Sequence, residues 1–483
     1  MSTTLKIENL LHLWPGKDRR TIIENRTYDE ITVGDSATVE RTLEHRDIQL
    51  FAIASGDVNP THLDDQFARD CGLTAVTGHG MWSAALLSAV LGVKFPGPGT
   101  IYCGQNLRFH APARLGDTLT AMITATAKDD ASKRVKFDCI VTNQAGTLLV
   151  SGEAEVIAPT QKISREITKL PELMFEDKAA RYERLIGISN GLDPIPMAVV
   201  HPCDVQALLG ALEARAAGLI VPILIGPGEK IRAVAAAEGA SLDGVTIVDV
   251  AHSHAAAETA VKMARDGEVL ALMKGSLHTD ELMSEVVKRD GGLRTSRRIS
   301  HVFLMELPTY STRLLITDAA INIEPTLEEK ADIVQNAIDM AVMLGIEKPK
   351  VAILAAVETV HPRMRSTTDA AALCKMADRG QIKGGLLDGP LAFDNAVSLA
   401  AARTKGIRSD VAGRAEILLV PDLESGNMIA KQLEYLANAV AVGIVLGARV
   451  PIVLTSRADS ASTRAASCAI AQVLARARHR HNG

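Results

Sequence analysis

Ser55-Gly56-Asp57-Val58-Asn59-Pro60-Thr61-His62, residues 55–62, sets a carboxylate and an imidazole five positions apart in a loop of glycine, asparagine and proline. Such a loop cannot continue a helix, so the two side chains stand at a turn. A second short stretch follows, Thr77-Gly78-His79-Gly80-Met81, and opens an Ala/Leu/Ser-rich run. Asp57 and His62 can share one water. A backbone N–H near Gly80, at a helix start, can face a developing negative charge. The same residues also fit a plain capped turn.

Working outward, residues 45 to 55 and 80 to 92 read as helices. Thr118 to Thr124 and Val135 to Val141 alternate apolar and polar, Asn143-Gln144-Ala145-Gly146 reads as a turn, and Thr147 to Ile157 alternates again. Alternation marks strands with one wet face, and the glycine turn marks a hairpin. The first third is therefore expected to be an antiparallel sheet with helices packed on it.

Past a mixed-charge stretch the rhythm changes. Unbroken apolar runs appear at Met197–Val200, Val221–Ile225, Val245–Val250, Val351–Val357, Ile417–Val420 and Pro451–Leu454, with Ala-rich helical segments between them. Strands buried on both faces look like this, and the pattern predicts a parallel α/β architecture. The residues after these runs, among them His201, Gly226, His252, Glu358, Asp422 and Thr455-Ser456-Arg457, are site candidates by position.

The chain has 483 residues, enough for several domains. The boundaries read as an extension at 1–27, a first domain at 28–160, a linker at 161–182 and a second domain at 183–483. The net charge of -5, with no long basic block, points away from nucleic acid and from membrane surfaces as partners. Six scattered cysteines without a Cys-x-x-Cys pair fit a reducing compartment. The start lacks the order of a signal peptide, and the apolar stretch Tyr435–Gly447 is interrupted by Asn438 and too short to span a bilayer. A cytoplasmic location is expected.

In the second half two stretches carry chemistry: Met273-Lys274-Gly275-Ser276-Leu277-His278-Thr279-Asp280, and Pro451 to Ser460 with Thr455-Ser456-Arg457 at its centre. A Gly/Ser/Thr loop with a lysine, facing a hydroxyl and a guanidinium at a strand end, can hold an oxyanion and align a second reactant. Each alone is also an ordinary loop or helix cap. Arg294, Arg297 and Arg298 form a small basic cluster, read as a solvated face, and Glu328-Glu329-Lys330 as an ordinary helix start.

Residues 28 to 157 resemble the MaoC-like, (R)-specific enoyl-CoA hydratases of hot-dog fold. The likeness rests on the Asp57-x-Asn59-Pro60-x-His62 loop, the His79-Gly80-Met81 helix start and Pro98-Gly99-Thr100-Ile101-Tyr102. It implies an α+β hot-dog domain in which Asp57 and His62 activate water and Gly80 supplies an oxyanion-binding N–H. Ser88 and Asn59 would lie on the substrate side, His79 would support the site, and Gln105, Phe109 and Pro112 would shape it. Pairing with a second copy is implied.

Residues 185 to 475 resemble the phosphate acetyl/butyryltransferases, which implies an α/β domain of parallel sheets in two subdomains. Ser456 would contact the reacting sulfur of CoA and Arg457 would hold phosphate. Lys274, Gly275, Ser276 and His278 would line the cleft, with Asn427 nearby. One position departs: Thr463 stands where acetyl-transferring members carry an aspartate proposed as a base, and Asp459 is the nearer carboxylate.

Together the two likenesses imply a bifunctional, homo-oligomeric acyl-CoA enzyme, associating through both domains. Acyl-CoA, CoA and inorganic phosphate or acyl phosphate would be its substrates, with no cofactor and no metal. The alternative is an active hydratase whose second half only senses acyl-CoA and drives assembly. A nicotinamide-dependent dehydrogenase is disfavoured, since no Gly-x-Gly-x-x-Gly follows a first strand.

Overall fold

Alternating burial builds the first sheet. In the computed structural model, which describes residues 22–166, 178–456 and 459–482, Leu119, Ala121, Ile123 and Ala125 turn inward from one strand, and Val135, Phe137, Cys139 and Val141 from the next. The chain divides into two units, 22–166 falling in one and 178–482 in the other.

The N-terminal unit runs β1 (Ile22–Glu24), β2 (Ser36–Thr42), α1 (His45–Ser55), α2 (Pro60–Leu63), α3 (Asp65–Asp70), α4 (Gly80–Ala89), β3 (Ile101–Phe109), β4 (Thr118–Asp129), β5 (Arg134–Thr142), β6 (Leu148–Ile157) and β7 (Ser164–Glu166). Five strands form an antiparallel sheet in the order β2-β4-β5-β6-β3. Trp82, Leu86, Leu87, Val90 and Leu91, on α4 and the π-helical turn after it, fill its concave face. This is a hot-dog fold. β1 pairs with β7, so residues assigned by sequence to the extension and the linker form a ribbon of this unit.

The C-terminal unit runs α5 (Lys178–Ile186), β8 (Ile195–Val200), α6 (Val205–Ala216), β9 (Ile220–Gly226), α7 (Gly228–Ala237), β10 (Thr246–Asp249), α8 (Ser253–Arg265), β11 (Ala271–Lys274), α9 (Thr279–Val286), β12 (Ser300–Glu306), β13 (Leu314–Thr317), α10 (Leu327–Met343), β14 (Lys350–Leu354), α11 (Arg365–Asp378), β15 (Leu386–Leu391), α12 (Phe393–Val397), α13 (Leu399–Thr404), β16 (Ile417–Leu419), α14 (Leu423–Leu436), β17 (Val440–Leu446), β18 (Ile452–Val453) and α15 (Ala461–Asn482). Its strands form one 11-stranded sheet, ordered β10-β9-β8-β11-β18-β17-β12-β13-β16-β14-β15. Helices cover both faces. Alternate residues of one strand enter opposite cores, as Val199 and Val200 do.

The sheet is mixed rather than wholly parallel. β10, β9, β8, β11 and β18 run parallel, and so do β13, β16, β14 and β15. Between the two groups every pairing is antiparallel: β18 with β17, β17 with β12, and β12 with β13. The connections β12–β13 and β17–β18 are short, and a short link can join only antiparallel neighbours. Three reversals leave the two parallel groups pointing opposite ways. Their carboxyl ends therefore open on opposite edges of the sheet, which splits the position-based candidates. His201, Lys274 and Ser456 share one edge, and Glu358 and Asp422 follow strands that end on the other.

Two candidate active sites

The loop after α1 is shaped by its own polar groups. Gly56 ends the helix at φ 77, which favours glycine. The Asn59 N–H donates to Asp57 Oδ1 at 3.3 Å, and Asn59 Oδ1 accepts the Thr61 N–H at 3.2 Å, capping α2. Asn59 thus forms the turn that presents Asp57 and His62. His62 Nδ1 donates to the Thr77 carbonyl at 2.7 Å, which leaves Nε2 as the ring's acceptor. His79 is buried, its ring centre lies 3.9 Å from that of His62, and its Nε2 donates to the Asp57 carbonyl at 3.0 Å.

The carboxylate of Asp57 and the imidazoles of His62 and His79 come within 4.8 Å of one another, and the buried His79 Nδ1 has no partner among the described residues. Three such donors could also hold a cation, but each ring already commits one nitrogen to a backbone carbonyl. The cluster abuts the start of α4, where the first N–H groups have no helical acceptor and His79 gives no side-chain cap. A Cβ on Gly80 would stand 3.2 Å from the Phe109 ring. Ser88 is on the exposed face of α4.

The second site gathers at the carboxyl ends of β8, β11 and β18. Gly275 passes so close to β8 that a Cβ would meet the Val200 carbonyl oxygen at 2.4 Å. Ser276 Oγ donates to the His201 carbonyl at 2.8 Å, and the Cys203 N–H donates to that Oγ at 3.3 Å. Burial holds the His201 imidazole below its usual pKa, with Lys230 adding to the effect. Lys274 is buried, and its Nζ donates to the Gly275 and Leu277 carbonyls at 3.3 and 3.2 Å. Its ammonium braces the loop from within. His278 is exposed at the N-cap of α9.

Arg464, on α15 and fully buried, joins the two loops. Nη1 donates to the Lys274 carbonyl at 3.2 Å and to Thr455 Oγ1 at 2.7 Å, and Nη2 donates to the Ser456 carbonyl at 2.9 Å. Sequence reading missed it. Its one signal was a lone charge in the small-residue run Ala461–Ala469. Arg457 lies outside the described residues. Asn427 donates to the Ala319 carbonyl at 3.3 Å, beside the carboxyl end of β13, so it belongs to the opposite edge from Ser456.

A family model described as phosphate acetyl/butaryl transferase matches residues 253–472, and one described as MaoC like domain matches residues 31–145. A phosphate acetyltransferase of Rhizobium meliloti is 61% identical over 296 residues, covering 61% of this chain and 94% of the relative. The chain belongs to the phosphate acetyl/butyryltransferase family. A branched-chain phosphotransacylase structure from Enterococcus faecalis V583 is 30% identical, covers 58% of this chain and 99% of that one, and gives a TM-score of 0.52. The unliganded R-hydratase PhaJ1 structure from Pseudomonas aeruginosa is 42% identical, covering 32% of this chain and 100% of that one with a TM-score of 0.32. A MaoC-like domain thus precedes a domain of a transferase family.

Within the phosphate acetyl/butyryltransferase domain, Thr463 is buried. Its Oγ1 is 2.8 Å from the Tyr182 hydroxyl and 3.0 Å from Ser460 Oγ. The basic cluster is only partly a solvated face. Arg298 Nε donates to Asn322 Oδ1 at 2.7 Å and Nη1 pairs with Glu329 at 2.9 Å, while Arg297 pairs with Asp339 at 3.3 Å beside a cavity of about 500 Å³. Glu328 and Glu329 do begin a helix, α10, capped by Thr326, but Lys330 turns inward to Asp369 at 2.8 Å. Among the described residues no helix is long and apolar enough to cross a membrane.

Proposed function

We propose that this chain carries two acyl-CoA activities. The N-terminal unit hydrates trans-2-enoyl-CoA to (R)-3-hydroxyacyl-CoA. The C-terminal unit exchanges an acyl group between CoA and inorganic phosphate. The observation that carries the proposal is the presence of two separate built clusters. One is Asp57–His62–His79 at the start of α4, and the other is the pair of loops tied by Arg464.

In hydration, water sits between the Asp57 carboxylate and His62 Nε2. One of them takes a proton as oxygen attacks the β-carbon, and a proton returns to the α-carbon. The N–H of Gly80 faces the thioester oxygen as negative charge collects there. Every atom comes from acyl-CoA and water, so no cofactor is required.

In acyl transfer, Ser456 stands at the strand end where the thioester sulfur meets phosphate, and Arg457 is the proposed phosphate-holding group. Lys274, Gly275 and Ser276 fix the opposite wall, and Arg464 fixes the distance between the loops. Alignment of two bound reactants is the main contribution such a cleft can make.

Ile101, Tyr102 and Phe109 are exposed on the edge strand β3, as is Met81 on α4. An apolar edge of this kind is normally covered, which supports self-association of the hot-dog unit.

A second reading has one observation behind it: Thr463, bound to Tyr182 and Ser460, puts a hydroxyl where the resemblance implies an aspartate. On that reading the C-terminal unit only binds acyl-CoA and mediates assembly. Acetyl-CoA with inorganic phosphate, followed by release of free thiol, decides between them. Steady turnover supports transfer. Binding without turnover supports sensing.

A further inference from the structure

A cavity of about 500 Å³ opens in the C-terminal unit, framed by the turn after β17, the loop leading into β12, the helix α10 and the far part of α15. It lies at the edge of the sheet away from Ser456. β17 and β18 are antiparallel, with Ile444 beside Val453 and Val445 beside Ile452. Leu446 and Gly447, which line the cavity, therefore stand at the amino end of β18, whereas Ser456 follows its carboxyl end. Arg464 and Arg478 mark the same two ends on α15, roughly 20 Å apart along the helix axis.

Three arginines from three separate elements line this cavity. Arg297 precedes β12, Arg449 sits in the turn between β17 and β18, and Arg478 comes from α15. Local bonds fix the walls that carry them. Thr295 Oγ1 donates to the Gly447 carbonyl at 2.6 Å, and the Arg449 N–H donates to the Leu293 carbonyl at 2.8 Å. Arg478 Nη1 donates to the Ala448 carbonyl at 2.9 Å, which holds its guanidinium against the turn. Gly447, at φ 79, lets the turn pass so close to the loop before β12 that a Cβ would meet the Arg298 carbonyl oxygen at 2.3 Å.

The positive charge is not cancelled. Among the described lining residues, three guanidiniums against one carboxylate, Asp339, leave an excess of two positive charges. Asp339 lies 3.3 Å from Arg297 Nη1, yet that buried nitrogen makes no hydrogen bond to a described residue. The same carboxylate is shared with the Gln335 amide, which donates to it at 2.8 Å. Arg449 and Arg478 form no ion pair among the described residues. Burial disfavours the charge on Arg478, and the pull of Asp339 offsets only part of this. A guanidinium stays charged all the same, and a cation taken out of water is costly until an anion pairs with it. Met340, Met343 and Leu474 make part of the wall apolar.

We propose that this cavity is a binding site, separate from the acyl-transfer site, for a small organic anion carrying two or more negative charges. Forked guanidiniums suit carboxylate and phosphate oxygens alike, and the apolar wall suits a carbon body between them. The volume is that of a site for a metabolite-sized ligand. Binding here needs no acyl transfer, so it stands or falls apart from the activity proposed above.

The test is calorimetric titration of the full chain with citrate and with fructose 1,6-bisphosphate, with acetate as the singly charged control. At least one of the two should bind saturably, at concentrations where acetate does not. Its Kd should rise about tenfold or more in Arg449→Glu and in Arg297→Gln, the loss expected for one charge-assisted contact. Arg449 is exposed, so its variant should unfold at the parent's temperature. Arg379→Glu, an equal change of charge at the exposed end of α11, should leave Kd within about threefold. Binding of citrate alone assigns the ligand's charges to carboxylates, and binding of the bisphosphate alone assigns them to phosphoryl groups. Binding of neither, binding that acetate matches, or a Kd unchanged in Arg449→Glu overturns the assignment. So does an equal loss in Arg379→Glu, which would show attraction to net charge rather than to a site.

Discussion

The imidazole of His79 lies 3.9 Å from that of His62, centre to centre, and its Nε2 donates to the backbone carbonyl of Asp57 at 3.0 Å. The next residue, Gly80, begins α4. One buried ring therefore fixes the carboxylate loop, the second imidazole and the helix start together. His79→Phe keeps the ring packing and removes the bond to Asp57. Hydration of crotonyl-CoA should fall about tenfold, the worth of one buried hydrogen bond to the geometry. Acyl transfer by the other unit should not change. Unchanged hydration would assign His79 to packing alone.

Stability of the C-terminal unit should depend on pH through His301. This side chain is fully buried on β12, and burial lowers its pKa to about 4, opposed by the Leu454 backbone carbonyl. Folded protein therefore holds His301 neutral between about pH 6.5 and 4, where the unfolded chain takes up a proton. The unfolded state binds more protons in that window, so stability falls as pH falls. The loss between pH 7 and pH 5 should be about 2 kcal/mol. Replacing His301 by Leu should flatten that slope in denaturant unfolding at the two pH values. A slope unchanged in the variant would show that other groups set it.

Arg464 holds a buried charge on three oxygens, two of them the carbonyls of Lys274 and Ser456. Arg464→Ala leaves those oxygens without donors and opens a void. It should destabilise the C-terminal unit by about 3 kcal/mol or more and abolish transfer. Arg464→Lys, which cannot reach both loops from one planar group, should keep more stability than activity. Equal recovery of both would mean that only the charge matters.

Gly275→Ala tests close approach rather than chemistry. The added methyl would meet the Val200 carbonyl at 2.4 Å, and its neighbour is backbone that cannot rotate away. Overpacking of this kind costs about 1–3 kcal/mol. Thermal unfolding should show the loss in the C-terminal unit, with acyl transfer reduced and hydration intact.

Much of this was legible in the sequence because the signals are local. Strands β4, β5 and β6 alternate, since one face of their sheet is wet, and that period is written in consecutive residues. The Asp57–His62 loop is likewise a local construction of turn-forming residues. What escaped is what depends on pairing at a distance. β17 lies in the apolar stretch that follows Asn438, whose φ of 54 turns the chain from α14 into the strand. Nothing in Val440–Leu446 says that both neighbours run the other way. The same holds for β12, whose Ser300 and His301 break the look of a buried strand although both are fully covered. Arg464 was missed because a lone charge in a small-residue run does not reveal its partners, whereas the place of Asn427, beside the end of β13, depends on the sheet. A side chain's edge of the sheet follows from strand direction, and direction is set by connections far along the chain.

The account rests on two independent clusters acting on the same thioester carrier. Its most direct measurement is a crossed pair of variants, Asp57→Asn and Ser456→Ala, each assayed for crotonyl-CoA hydration and for thiol release from acetyl-CoA with phosphate. The account predicts that Asp57→Asn loses hydration by about 100-fold or more while keeping transfer, and that Ser456→Ala does the reverse. Both activities falling together in either well-folded variant, or neither falling, would contradict it.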